Sequence, residues 1–256
     1  MKRKFVVGNW KMNGNPAEWS ALIKGILEEA DTINTSFIVC PPAAGLALMN
    51  SQIKTYASSA KLGAQDVHYK TSGAYTGDTS ISMLEGLGVK YCIVGHSERR
   101  DYHKENSIDV SLKAKQCMKN NIVPIICIGE SLADYEREQT IGMLSMQLDD
   151  SLDGLYPENS DDLMIAYEPI WAIGSGKTPS PKTIENVYRF LRSYLVDKYE
   201  DIGYDIPLLY GGSASPDNAE KYLAEKNING FLVGGASLKA EMFLELGRKS
   251  AIKEGY

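Results

Sequence analysis

Residues Ile122–Ile128 read IVPIICI. No polar side chain interrupts the run, so it lacks the alternation of a strand with one wet face and fits a strand covered on both sides, as in a parallel sheet. Working outward, short apolar runs recur at Phe5 to Val7, Phe37 to Cys40, Lys61 to Gln65, Tyr91 to Val94, Leu163 to Tyr167, Ile206 to Tyr210 and Phe231 to Val233. Amphipathic stretches separate them, clearest at Ala17 to Ala30, Ser107 to Asn120, Glu136 to Leu152, Pro181 to Lys198, Pro216 to Lys226 and Leu238 to Lys249. Eight strand and helix units in 256 residues, 32 residues each on average, predict an α/β chain folded as a single (β/α)8 barrel, one domain over residues 1–256. An open doubly wound sheet is the other arrangement such alternation allows, but no G-x-G-x-x-G follows a strand.

The composition fits one ordinary globular unit, with 43% hydrophobic and 23% charged residues and no Pro/Gly/Ser linker. A net charge of -6 and the lack of any long Lys/Arg run argue against a nucleic-acid partner. Cys40, Cys92, Cys117 and Cys127 show no CxxC spacing and lie mostly in apolar runs, which suits buried free thiols in a reducing compartment. The start, MKRKFVVGNWK, has too short an apolar stretch for a signal peptide, and no segment reaches membrane-spanning length. The expectation is a cytoplasmic protein with no membrane partner.

In a parallel barrel the C-terminal ends of all strands open on one face, where chemistry collects. Following the strands there are Gly8, Asn9, Trp10 and Lys11; Gly95, His96, Ser97 and Glu98; Glu168; Gly211, Gly212 and Ser213; and Gly234 with Gly235. Glu168 ends an apolar strand, and Pro169 pushes it into an extended conformation aimed at the mouth. A buried carboxyl there is expected to have a raised pKa and to serve as a base. His96 precedes Ser97-Glu98-Arg99, which reads as the first turn of a helix, so backbone N–H groups favour a neutral imidazole able to donate to a carbonyl oxygen. Lys11, between Trp10 and Met12, is placed to hold an anion with support from Asn9. The glycine turns YGGSAS and VGGASL fall after the seventh and eighth strands, where barrel enzymes often bind phosphate.

The stretch AYEPIWAIGSGKT, Ala166 to Thr178, contains GSGKT, but a P-loop reading fails because Trp171 stands where the first glycine belongs. A lid fits better: Pro169 and Pro179 bracket it, Trp171 and Ile173 supply apolar cover, and Gly174 and Gly176 offer N–H groups. The hydrolase elbow G-x-S-x-G is absent, since Gly211 to Ser215 ends in serine. The acidic stretch Asp149 to Asp162 lacks the EF-hand spacing and reads as a solvated connector.

GNWKMN, VGHSERR, CIGE, AYEPIWAIGSGK, YGGSASPDN and FLVGGASL stand in this order along nearly the whole chain. In that order and spacing the sequence closely resembles the triosephosphate isomerase family, whose fold is the TIM barrel. The resemblance implies interconversion of dihydroxyacetone phosphate and glyceraldehyde 3-phosphate, with Glu168 as base, His96 as neutral electrophile, and Lys11 with Asn9 binding oxyanion and substrate. It also implies that Gly174, Ser213, Gly234 and Gly235 hold phosphate, that Glu98, Gln65 and Cys127 of CIGE support the site, and that no metal or organic cofactor takes part. It implies a homodimer too, in which Gly63–Ser80, too long for a plain connection, inserts into a neighbour with Thr76 near the partner's Asn9 and Lys11. Asp66 stands where the family usually has asparagine, Asp78 where glutamate is common, and Ser175 where threonine is usual. Another sugar-phosphate enzyme would share the glycine turns but need other acid/base groups, and a noncatalytic barrel would have lost Glu168 or His96.

Overall fold

A computed structural model describes residues 3–173 and 177–251. Within these residues eight strands form one sheet: β1 Phe5–Asn9, β2 Ser36–Cys40, β3 Lys61–Ala64, β4 Tyr91–Val94, β5 Val123–Ile128, β6 Met164–Tyr167, β7 Leu208–Tyr210 and β8 Gly230–Val233. Each pairs in parallel with the next, and β1 also pairs with β8, so the sheet closes into a barrel. The open doubly wound alternative is thereby excluded.

The closed sheet explains the unbroken apolar runs. Along β5, Ile125 and Cys127 belong to the cluster filling the barrel interior, whereas Ile126 and Ile128 belong to the larger cluster between the strands and the surrounding helices. Both faces of the strand are dry, so period two is invisible in the residue types although it is present in space. Each such isoleucine stabilises the fold by about 1.5–3 kcal/mol through burial.

Among the described residues, ten α-helices lie between and after the strands: α1 Pro16–Leu27, α2 Leu46–Thr55, α3 Ile81–Gly86, α4 Ser97–His103, α5 Ser107–Lys119, α6 Leu132–Glu136, α7 Thr140–Ser151, α8 Pro181–Tyr199, α9 Ala219–Leu223 and α10 Ala240–Ser250. Their starts follow from local chemistry. The Asn15 side chain accepts N–H groups of Ala17 and Glu18 ahead of Pro16, and Asn106 and Asp109 form a capping box at α5. The expected helix from Glu136 to Leu152 begins four residues late, as α7 at Thr140, because α6 ends at Glu136 and Glu138 between them adopts φ 58°. The expected Pro216 to Lys226 helix contracts to α9.

Residues 65–80 form neither helix nor strand. This loop is organised on itself, with His68 against the rings of Tyr69 and Tyr75 and its backbone N–H donating to Thr79 O. All four cysteines are free and buried. No described helix is long and apolar enough to cross a membrane.

Candidate active site

A cavity of about 330 Å³ opens at the C-terminal ends of the strands, lined by Asn9, Lys11, His96, Glu168, Ile173 and the glycine turns at 211–213 and 234–235, among others. Residues far apart in sequence are brought to one mouth. Each arrives by a local device. Glu168 extends the β6 ladder by one step, its N–H donating to Ile128 O at 2.8 Å, before Pro169 turns the chain. His96 is the N-cap of α4, and its Nδ1 accepts the Glu98 N–H at 3.2 Å. A ring accepting at Nδ1 carries its neutral-state proton on Nε2. That nitrogen lies 3.1 Å from Glu168 Oε1, while Glu168 Oε2 accepts the Ser97 N–H at 3.0 Å.

Burial and charge act against each other on this pair. For Glu168, burial pushes the pKa up, but the His96 ring, the hydrogen bonds from His96 and the Ser97 N–H, and the Lys11 charge together hold it below the ordinary glutamate value. The expectation of a raised Glu168 pKa is therefore corrected: desolvation is present but outweighed. For His96, burial pulls the pKa down, yet the Glu168 charge and hydrogen bond, with Glu98 behind them, lift it above the ordinary histidine value. The helix N-terminus fixes the tautomer, but the expectation that it favours a neutral ring is corrected: with Glu168 alongside, the pKa lies above the ordinary value.

Lys11 sits at φ 51°, a left-handed conformation that costs a non-glycine residue about 1 kcal/mol or more. It is held there from both sides of its backbone, with its N–H donating to Asn9 Oδ1 at 3.0 Å and its carbonyl accepting from Gln65 Nε2 at 2.9 Å. Its ammonium pairs with Glu98 at 2.5 Å. Thus Asn9, Gln65 and Glu98 all bear on Lys11. Cys127 is buried on β5, its carbonyl accepting from Arg100, and its thiol is pushed up by burial and the nearby Glu168 charge.

The opposite wall has little side-chain chemistry. A Cβ on Gly211 would lie 2.7 Å from Glu168 Cγ, and one on Gly234 would lie 3.0 Å from Lys11 Cε, so the glycines leave room for both groups. Ser213 is at the cavity, but its hydroxyl donates to Ala172 O at 2.8 Å. Ile173 lines the cavity. Trp171 does not: its ring stacks on Tyr135 at 4.2 Å and its Nε1 donates to Glu130 Oε1 at 2.8 Å. The expected apolar cover is corrected in part, since Trp171 is turned away to anchor the chain after Pro169. Gly174, Ser175 and Gly176 lie outside the described residues. Thr76 is exposed and not part of its own chain's cavity.

Two participants were not anticipated. The Ser97 N–H is a backbone group that residue types do not disclose. Glu130, fully buried, holds both Tyr167 OH and Trp171 Nε1 through Oε1; its presence in the quoted CIGE was the available signal.

The sequence model of the family described as triosephosphate isomerase matches residues 4–250. The chain belongs to the triosephosphate isomerase family. The triosephosphate isomerase of Alkaliphilus metalliredigens is 42% identical over 245 residues, covering 95% of this chain and 98% of that one. That of Streptococcus thermophilus is 40% identical over 251 residues, with 96% and 98% covered. The crystal structure of triosephosphate isomerase from Bartonella henselae superposes with a TM-score of 0.85 at 34% identity, covering 96% of this chain and 98% of that one. Family membership thus extends over nearly the whole barrel, the mouth included.

Proposed function

We propose that this chain is an aldose-ketose isomerase that interconverts dihydroxyacetone phosphate and D-glyceraldehyde 3-phosphate. The observation that carries the reading is the buried Glu168–His96 pair, 3.1 Å apart, beside Lys11 and facing two glycine turns across one small cavity. Moving a carbonyl between neighbouring carbons requires a base that removes a proton from carbon and donors that stabilise the enediolate. Glu168 is the base. To act, its carboxylate leaves the Ser97 N–H and turns toward the substrate carbon. His96 then faces the carbonyl oxygen with a neutral Nε2–H, because the lift from Glu168 weakens as the carboxylate moves off while burial remains.

Lys11 shares its charge between Glu98 and the bound anion, and Asn9 keeps its backbone in place. Ser213, Gly234 and Gly235 hold phosphate through main-chain N–H groups, the Ser213 hydroxyl being engaged with Ala172. The same role for Gly174 follows from its motif. None of these steps calls for a metal or organic cofactor. Of the Gly63–Ser80 segment, the first two residues belong to β3; the loop at 65–80, with Thr76 exposed at its turn, is proposed to complete a homodimer by reaching the partner's site, and the protein to work in the cytoplasm as one domain.

Turnover of glyceraldehyde 3-phosphate in a coupled assay tests the activity. Conversion that depends on Glu168 and His96 supports the reading; a folded chain without turnover would reopen the case for a different sugar phosphate.

A further inference from the structure

Immediately after Gln65, which donates to Lys11 O and Cys40 O at 2.9 Å each, comes Asp66. Asp66 Oδ1 accepts from Lys113 Nζ at 2.7 Å and Oδ2 from Arg99 Nε at 2.9 Å. Both cations are shared with Glu105, whose Oε2 lies 2.6 Å from Lys113 and 2.9 Å from Arg99, and whose Oε1 accepts the Gly95 N–H at 3.1 Å. Lys113 and Glu105 are nearly enclosed, with side chains 7% and 4% exposed. Two carboxylates and two cations thus cancel within one partly buried cluster that joins the end of β3, the start of α4 and the middle of α5.

The cluster bears on Lys11 for a reason of backbone strain. A non-glycine residue at positive φ persists only where its surroundings over-determine it. Gln65 supplies one of the two holds on Lys11, and beyond Gln65 the chain has no helix or strand until α3. Asp66 is therefore the first residue after β3 that ion pairs hold in place. An asparagine in its place would leave two cations sharing the single carboxylate of Glu105, with an amide NH2 facing one of them.

We propose that Asp66 is a positioning residue for Lys11: its ion pairs with Lys113 and Arg99 fix the backbone that carries Gln65, and Gln65 fixes Lys11 by its carbonyl. The proposal rests on the reading of Lys11 as the residue that binds the anionic substrate. It predicts an effect on anion affinity rather than on the chemical step, and an effect transmitted only through Gln65.

The test uses the full chain as wild type, Asp66→Asn, Gln65→Ala and the double variant, with inorganic phosphate affinity by calorimetry and kcat and KM for glyceraldehyde 3-phosphate. Asp66→Asn is expected to weaken phosphate binding and raise KM about three- to tenfold, the scale of coupling through a packed network, with kcat within about twofold. Gln65→Ala should do the same, and the double variant should be no worse than Gln65→Ala alone. Unchanged phosphate affinity and KM in Asp66→Asn, or losses that add in full in the double variant, would overturn the proposal. If the asparagine variant does not fold, as judged by thermal melting, Asp66→Ser is read in the same way. A wild type that binds phosphate but turns nothing over would sink the isomerase reading, while phosphate affinity still decides the role of Asp66.

Discussion

The two walls of the cavity are built on different principles. On the β4 and β6 side, the chemistry resides in two buried side chains, His96 and Glu168, whose protonation is set by each other, by a backbone N–H and by burial. On the β7 and β8 side, Gly211, Gly212, Gly234 and Gly235 contribute main chain and empty space. The first wall fails when a charge or a proton is misplaced, the second when a volume is filled. Substitutions on the two sides should therefore separate, kcat on one and KM on the other, and the exceptions should lie where the walls touch.

The largest effect is expected at Glu168. Glu168→Gln removes the base and should lower kcat about 10²- to 10⁴-fold with KM little changed, read by steady-state kinetics. Gly211→Ala is the informative exception on the glycine side. Its Cβ would press on Glu168 Cγ at 2.7 Å, so we expect kcat, not KM, to fall by up to about 10²-fold, the scale of a displaced catalytic group. Gly234→Ala meets only the flexible Lys11 stem at 3.0 Å, and should raise KM a few-fold (roughly 1 kcal/mol of binding) with kcat nearly unchanged. Equal behaviour of the two alanine variants would erase the distinction between the walls.

Titration sharpens the comparison without chemistry. The His96 imidazole, followed by NMR, should titrate above the ordinary histidine value in the wild type and fall in Glu168→Gln, where burial and Lys11 are no longer opposed by the carboxylate. The stability signs follow. Glu168, with its lowered pKa, stabilises the fold above the ordinary glutamate range and loses that contribution as pH falls through its folded value. His96, with its raised pKa, contributes below the ordinary histidine range and loses it as pH rises through its folded value. The smallest effect is expected at Trp171→Phe, which keeps the stack on Tyr135 but loses the hydrogen bond to Glu130; thermal melting should show a loss of about 1 kcal/mol.

Much of the barrel was legible because burial on both faces writes itself into residue type, as in β5 and β6. β3 was faint because its sequence, KLGA, ends in small residues; Gly63 packs its backbone near the Cys40 sulfur. α2 went unread because only Leu46 and Met49 of its ten residues are buried, too few to draw a stripe. The break between α6 and α7 rests on a glutamate at positive φ, which no residue preference announces.

In the site, the residues at strand ends were readable one by one, since a parallel barrel gathers all of them at one mouth. Their pKa values were not, because each depends on a partner from another element. The ion cluster around Asp66 was hidden for the same reason, although one signal was present: Lys113 lies on the stripe formed by Val110, Ala114 and Cys117, where a lysine on a dry helix face needs carboxylates waiting.

The central claim, that Glu168 removes a proton from a carbon of the triose phosphate, is tested most directly by incubating dihydroxyacetone phosphate with the enzyme in D2O and following deuterium entry at carbon by proton NMR. Rapid incorporation by the wild type, lost to within a small residue in Glu168→Gln, is the predicted result. Incorporation at an undiminished rate in Glu168→Gln would contradict it.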